Sequence, residues 1–136
     1  MRLGQVQKVA VLLAGLLLVA GCAFPQQGTD TPDEVGGTYY VNGTDALEQE
    51  YGGQLIITPN DGSYEMQWII TGVIQTGVGD FDGRMLEGNW RTIEPDTMQT
   101  AGTFSFELQD DGSLIGARTT EGWDTEGYEE AFPVYE

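Results

Sequence analysis

A chain of 136 residues with 22 acidic and five basic side chains, no histidine and one cysteine has room for a single small domain. Its formal charge of −17 repels nucleic acid and anionic head groups and favours solubility. Lacking an imidazole base, with one lysine and one thiol, it is poorly equipped for nucleophilic catalysis and cannot form an internal disulfide.

The first residues read as a leader. Arg2 and Lys8 precede an apolar run over residues 9–20, too short to span a bilayer comfortably as a helix. The run ends in Val19-Ala20-Gly21-Cys22, and this combination resembles the signal and lipobox of a bacterial lipoprotein. The resemblance implies a signal helix over residues 1–21 and, on Cys22, a diacylglyceryl thioether with an amide-linked acyl group such as palmitate. Two or more acyl chains hold a protein on a membrane durably, at about 0.8 kcal/mol per buried CH₂. Ala23 and Phe24, where an Asp would retain a lipoprotein in the inner membrane, resemble the outer-membrane sorting pattern, with a periplasmic or surface orientation. The plainer alternative is a secretory signal cut near Ala20. Loss of Arg2 and Lys8 takes the formal charge from −17 to −19 and leaves Arg84, Arg91 and Arg118 as the basic residues. An anionic surface could bind cations, but it reads more simply as a solvated face.

Residues 22–36 carry Pro, Gln, Gly, Thr and Asp with little to bury, and read as a flexible tether with a reach of roughly 20 Å. Residues 37–136 form the folded domain. Its organising unit is residues 53–68, two alternating runs about Asn60-Asp61-Gly62, a strong hairpin signal. Strands are expected over residues 38–42, 53–58, 63–70, 73–81, 84–92, 102–109, 113–119 and 128–135. Turn signals fall at Asn42-Gly43, Asn60-Asp61-Gly62, Asp82-Gly83, Glu94-Pro95-Asp96, Asp111-Gly112 and Glu126-Gly127. Residues 46–51 have room for one helical turn, and Gly77 and Gly79 suggest a bend or bulge. Eight short strands in sequence predict an all-β, antiparallel up-and-down β-barrel, with a two-sheet β-sandwich as the alternative; barrel closure leaves no open edge.

Period-two parity assigns an inward set: Tyr39, Val41, Leu55, Ile57, Tyr64, Met66, Trp68, Ile70, Leu86, Trp90, Phe104, Phe106, Leu108, Leu114, Phe132 and Val134. Glu65, Gln67, Glu87, Thr103, Ser105 and Glu107 alternate with them and face water. Continued along the same strand, the parity also turns Arg118 inward.

The series Gly37-x-Tyr39-x-Val41-x-Gly43, Tyr51-x-Gly53-x-Leu55-x-Ile57, Tyr64-x-Met66-x-Trp68, Gly77-Val78-Gly79 and Asp111-Gly112-x-Leu114-x-Gly116 resembles small secreted bacterial β-proteins labelled fibronectin-binding or lipocalin-like. Gly37-Thr38-Tyr39 is similar to the opening of calycins, with Tyr where Trp is usual. That resemblance implies a basic residue from a late strand capping the aromatic, a place Arg118 would fill against Tyr39.

Chemistry in this sequence is sparse. Ser63, Ser105 and Ser113 have no evident activator, and the carboxylates at 65, 87 and 107 alternate outward, so no enzyme is expected. Asp80-Phe81-Asp82-Gly83 and Asn60-Asp61-Gly62 place oxygen ligands near glycine, but neither completes a Ca²⁺ loop; no metal or cofactor is expected. Tyr39, Trp68, Trp90, Phe104, Phe106 and Arg118 are the candidate ligand-binding residues, a set suited to an amphipathic anion such as a fatty acid. Against this, the same aromatics could simply fill a small barrel. The first functional expectation is a lipid-anchored interaction module, of adhesin or inhibitor type, meeting a protein partner; the alternative is a carrier of a small apolar or amphipathic ligand. A void beside Arg118 would favour the carrier, and a packed interior with an exposed aromatic patch the module.

Overall fold

The computed structural model describes residues 35–135, so the expected signal, Cys22 and most of the expected tether lie outside the described residues. Eight strands follow one another: β1 (Gly37–Thr44), β2 (Glu50–Asn60), β3 (Ser63–Ile70), β4 (Val73–Phe81), β5 (Met85–Glu94), β6 (Ala101–Leu108), β7 (Leu114–Arg118) and β8 (Gly127–Pro133). Each pairs antiparallel with the next, and β1 pairs with β8, giving a closed up-and-down barrel rather than a sandwich. No helix lies among the described residues.

The organising hairpin forms with Asn60 opposite Ser63, and Asp61 and Gly62 both at positive φ (52° and 87°). That is the backbone a two-residue hairpin loop with the strands' own twist demands. Residues expected as a helical turn are divided between the β1–β2 loop and the start of β2. Asn42-Gly43, expected as a turn, continues β1: Gly43 faces Tyr51 across the ladder, and a Cβ there would lie 2.4 Å from the Tyr51 ring. Glycine here is space for an aromatic.

The same explanation replaces the expected bend at Gly77 and Gly79. Both are buried, and a Cβ on Gly77 would lie 3.1 Å from the Trp68 ring, while one on Gly79 would lie 2.8 Å from Phe104. They let large rings cross the narrow interior, and the register shift in β4 falls earlier, between Ile74 and Gln75.

Buried residues follow the expected parity through β1–β7, from Tyr39 and Val41 through Leu55, Ile57, Met66, Trp68, Leu86, Trp90, Phe104 and Phe106 to Leu114. Strand β8 is the exception. Phe132 is 38 % exposed, Val134 lies beyond the strand, and Glu129 and Ala131 are the residues turned inward, both at 0 % exposure. Glu129 is turned in because it has partners inside. Val35 is also buried, and the Tyr39 hydroxyl donates to its carbonyl at 2.8 Å, so the folded domain takes in a residue expected in the tether.

Candidate functional site

The two ends of the barrel are built differently. Near one end, Tyr39, Tyr64, Phe81, Leu86, Phe106 and Leu108 pack together, with Tyr64 and Phe81 edge-to-face at 6.3 Å. At the other, the ends of β1, β3 and β7, the starts of β2, β4 and β8, Trp90 of β5 and Met98 of the β5–β6 loop surround an open cavity of about 400 Å³. Ile70, Val73, Trp90 and Met98 give it apolar walls, Tyr51, Gln75 and Arg118 a polar lining, and Asp45 and Glu50 add acidic groups.

Arg118 reaches this position as the last residue of β7, inward by parity and 7 % exposed. Its guanidinium carbon lies 4.4 Å from the Trp68 ring centroid and 4.3 Å from that of Trp90, in cation–π range of both. Nη1 donates to Glu129 Oε1 at 3.1 Å and Nη2 to Gln75 Oε1 at 2.5 Å. Glu129 also accepts from the Tyr51 hydroxyl on Oε1 at 2.5 Å and from Trp68 Nε1 on Oε2 at 2.8 Å. Three donors from three other strands thus converge on one buried carboxylate, as its desolvation requires. The chain extends outward through Gln75 Nε2, which donates to Thr92 Oγ1 at 3.2 Å, and Thr92 Oγ1 lies 2.7 Å from Thr100 Oγ1.

Burial, and then the Glu129 charge, push the Tyr51 hydroxyl well above its ordinary acidity range, with Arg118 pulling the other way. Tyr39 is pushed up to about 12, mainly by burial and then by Tyr135 and Tyr64.

The sequence-derived set therefore divides. Arg118, Trp68 and Trp90 come together at the mouth, with Trp90 and Arg118 lining the cavity and Trp68 buried against the guanidinium. Phe104 packs edge-to-face on Trp68 at 5.6 Å and stacks on Phe106 at 5.4 Å, so these two belong to the core beneath. Tyr39 is not capped by Arg118, as the calycin resemblance implied; the guanidinium stacks on Trp68 and Trp90, and the Tyr39 hydroxyl is taken by Val35. Sequence reasoning missed Glu129, Tyr51 and Gln75. An inward arginine called for a carboxylate, and Gly127-x-Glu129-x-Ala131 offered one between two small residues, but the aromatic Phe132 decided the parity instead.

Elsewhere the acidic turns serve the backbone. Asp82 Oδ1 accepts from the amides of Met85 and Arg84, at 2.7 and 2.8 Å, and these bonds hold its carboxyl below the usual range. The Ser113 hydroxyl and amide do the same for Asp111. No cluster of three or more potential metal-ligating acidic, cysteine or histidine side chains occurs among the described residues. A second concavity, open and about 860 Å³, lies on the outer wall, between the faces of β4–β6 and the 119–123 loop that carries Trp123. On the outside also, Tyr40 of β1 lies opposite Phe132 of β8, 57 % and 38 % exposed.

No protein-family model matches the chain, and no curated protein matches it. Among solved structures it is similar to a de novo designed fluorescence-activating β-barrel, at 14 % identity and a TM-score of 0.62, covering 79 % of this chain and 100 % of that one. It is also similar to a redesigned β-barrel, mFAP1, bound to DFHBI, at 16 % identity and a TM-score of 0.60, covering 75 % and 96 %. The likeness is one of fold.

Proposed function

We propose that the protein is a non-catalytic, lipid-anchored barrel of the bacterial envelope, facing the periplasm or the surface, whose mouth holds a small apolar or amphipathic molecule. The observation that carries this reading is the cavity of about 400 Å³ beside Arg118, apolar on its walls with a few fixed polar groups at its lining. That composition is what small-molecule sites use. A barrel of the same fold, mFAP1, is described as bound to DFHBI, which gives the architecture a precedent for holding a ligand. The anchor rests on the lipobox-like Val19–Cys22 sequence. Native mass spectrometry of the protein from its own host tests the ligand. The expected result is a retained non-covalent mass that is lost from a cavity-filling Val73→Trp variant of unchanged stability. Only the bare chain in both preparations would overturn the reading.

A second reading, an adhesin- or inhibitor-type module, is favoured by the exposed Tyr40–Phe132 pair with Tyr128 on the outer face of β1 and β8. A Tyr40→Ser, Phe132→Ser double variant that retains its ligand but loses adhesion of the host cell would support it.

A further inference from the structure

The mouth contains the most deeply buried charge pair among the described residues, and the way that pair is satisfied constrains what can bind. This inference rests on the reading of the mouth as a ligand site, and concerns the chemical class of the ligand. A lone guanidinium at the end of an apolar cavity would attract a carboxylate. Arg118 is not alone: Glu129, at 0 % exposure, is its ion-pair partner at 3.1 Å. Gln75 takes a second donor, and the two indoles cover the guanidinium. An anionic ligand would have to shed its water against a charge that already has its counterion.

The surroundings oppose an anion too. Asp45 and Glu50 line the same cavity. The other described cations are placed elsewhere. Arg84 follows the β4–β5 turn and pairs with Glu107, and Arg91 alternates outward beside the buried Trp90 and Thr92. With a formal charge of −17 on the whole chain, the long-range field repels anions as well.

One feature of Arg118 is nevertheless left open. Its Nε is buried and has no hydrogen-bond partner among the described residues, although the side chain lines the cavity. Buried donors are nearly always paired, and one left unpaired on a side chain that lines a cavity points to an acceptor supplied from outside the chain.

We infer that the mouth selects an uncharged, largely apolar molecule carrying a hydrogen-bond acceptor such as a carbonyl, held against the edge of Arg118, and discriminates against carboxylates. Glu129 is then a specificity-determining residue: it balances the guanidinium charge while leaving the Nε–H free of a protein partner.

Three probes of one skeleton test this: 2-acetylnaphthalene (neutral, with an acceptor), 2-ethylnaphthalene (neutral, without one) and 2-naphthoate (anionic). Binding to the full-length chain is measured by equilibrium dialysis at pH 7. The expected order has the acetyl compound at least tenfold tighter than either of the others. In Glu129→Gln the preference for acetyl over carboxylate narrows at least tenfold, because the guanidinium has lost its counterion. Naphthoate binding as tightly as the acetyl compound to the unaltered protein would overturn the charge selection, and equal binding of acetyl and ethyl compounds would overturn the acceptor role. Either result would leave the mouth a ligand site. Binding of none of the three would remove both readings. The comparison in the unaltered protein decides the matter even if Glu129→Gln fails to fold.

Discussion

One end of this barrel is dry and the other is wired. At the Tyr39–Phe106 end, rings and aliphatic chains fill the interior, and what holds them is burial. At the Arg118 end the interior carries an ion pair, a carboxamide, a phenol and an indole N–H joined in one network, with an open cavity beside them. The difference teaches where this barrel departs from an interior filled by apolar side chains. A barrel this small can be filled by side chains alone. Burying Glu129 instead costs desolvation that a hydrophobic replacement would avoid, a cost offset in part by its three hydrogen-bond donors.

The largest expected effect sharpens that contrast. Glu129→Gln leaves the Arg118 charge buried without its counterion, and a loss of about 3–5 kcal/mol in urea unfolding is expected. The further substitution Arg118→Met, made in that background, should recover part of the loss, whereas two independent sites would add. Trp68→Ala should cost about 3–5 kcal/mol as well, through its cavity and the lost indole donor to Glu129. At the dry end, Leu86→Ala should cost about 2–5 kcal/mol, with no carboxylate or guanidinium left unpaired and no rescue by a second polar-to-apolar change.

Almost all of the fold was legible, and the reason is physical. In a closed antiparallel barrel every strand has one wet and one dry face, so alternation such as Tyr64-x-Met66-x-Trp68 fixes both strand and orientation. β8 was misread because both of its parities carry apolar residues. Tyr128 and Phe132 lie outside, while the inner row of Gly127, Glu129 and Ala131 is small except for a charge. Its orientation is set by a partner on a neighbouring strand, Arg118, and by Tyr51 and Trp68 further round the barrel, which no local pattern encodes. The candidate site was half legible for the same reason: Arg118, Trp68 and Trp90 declare themselves by parity, but their counterion does not.

Smaller effects test the packing that separates the ends. Gly79→Ala places a methyl 2.8 Å from both the Glu87 carbonyl and the Phe104 ring, and should cost about 1–3 kcal/mol by overpacking. Alkaline titration probes both ends at once. Tyr39 and Tyr51 keep their protons in the folded state above the ordinary tyrosine value of about 10, whereas the unfolded chain releases them there. Their contribution to stability is therefore full below about pH 10 and is lost as pH rises through the folded value of about 12 for Tyr39 and beyond it for Tyr51. Unfolding monitored by denaturant midpoint should be flat in that respect up to pH 10 and decline above it. The smallest effect is expected outside the barrel, where Arg84→Ala removes an exposed ion pair with Glu107 and should change stability by less than about 1 kcal/mol.

The central claim, that the Arg118 end is a ligand site rather than more core, is tested most directly by the Nε–H resonance of Arg118 in a ¹H–¹⁵N spectrum of the full-length chain. Held between the Trp68 and Trp90 rings, it should be displaced by ring currents from the Arg84 and Arg91 signals, and it should move on addition of 2-acetylnaphthalene while those two stay fixed. An Arg118 signal that coincides with the exposed arginines, or that ignores a bound probe, would contradict the account.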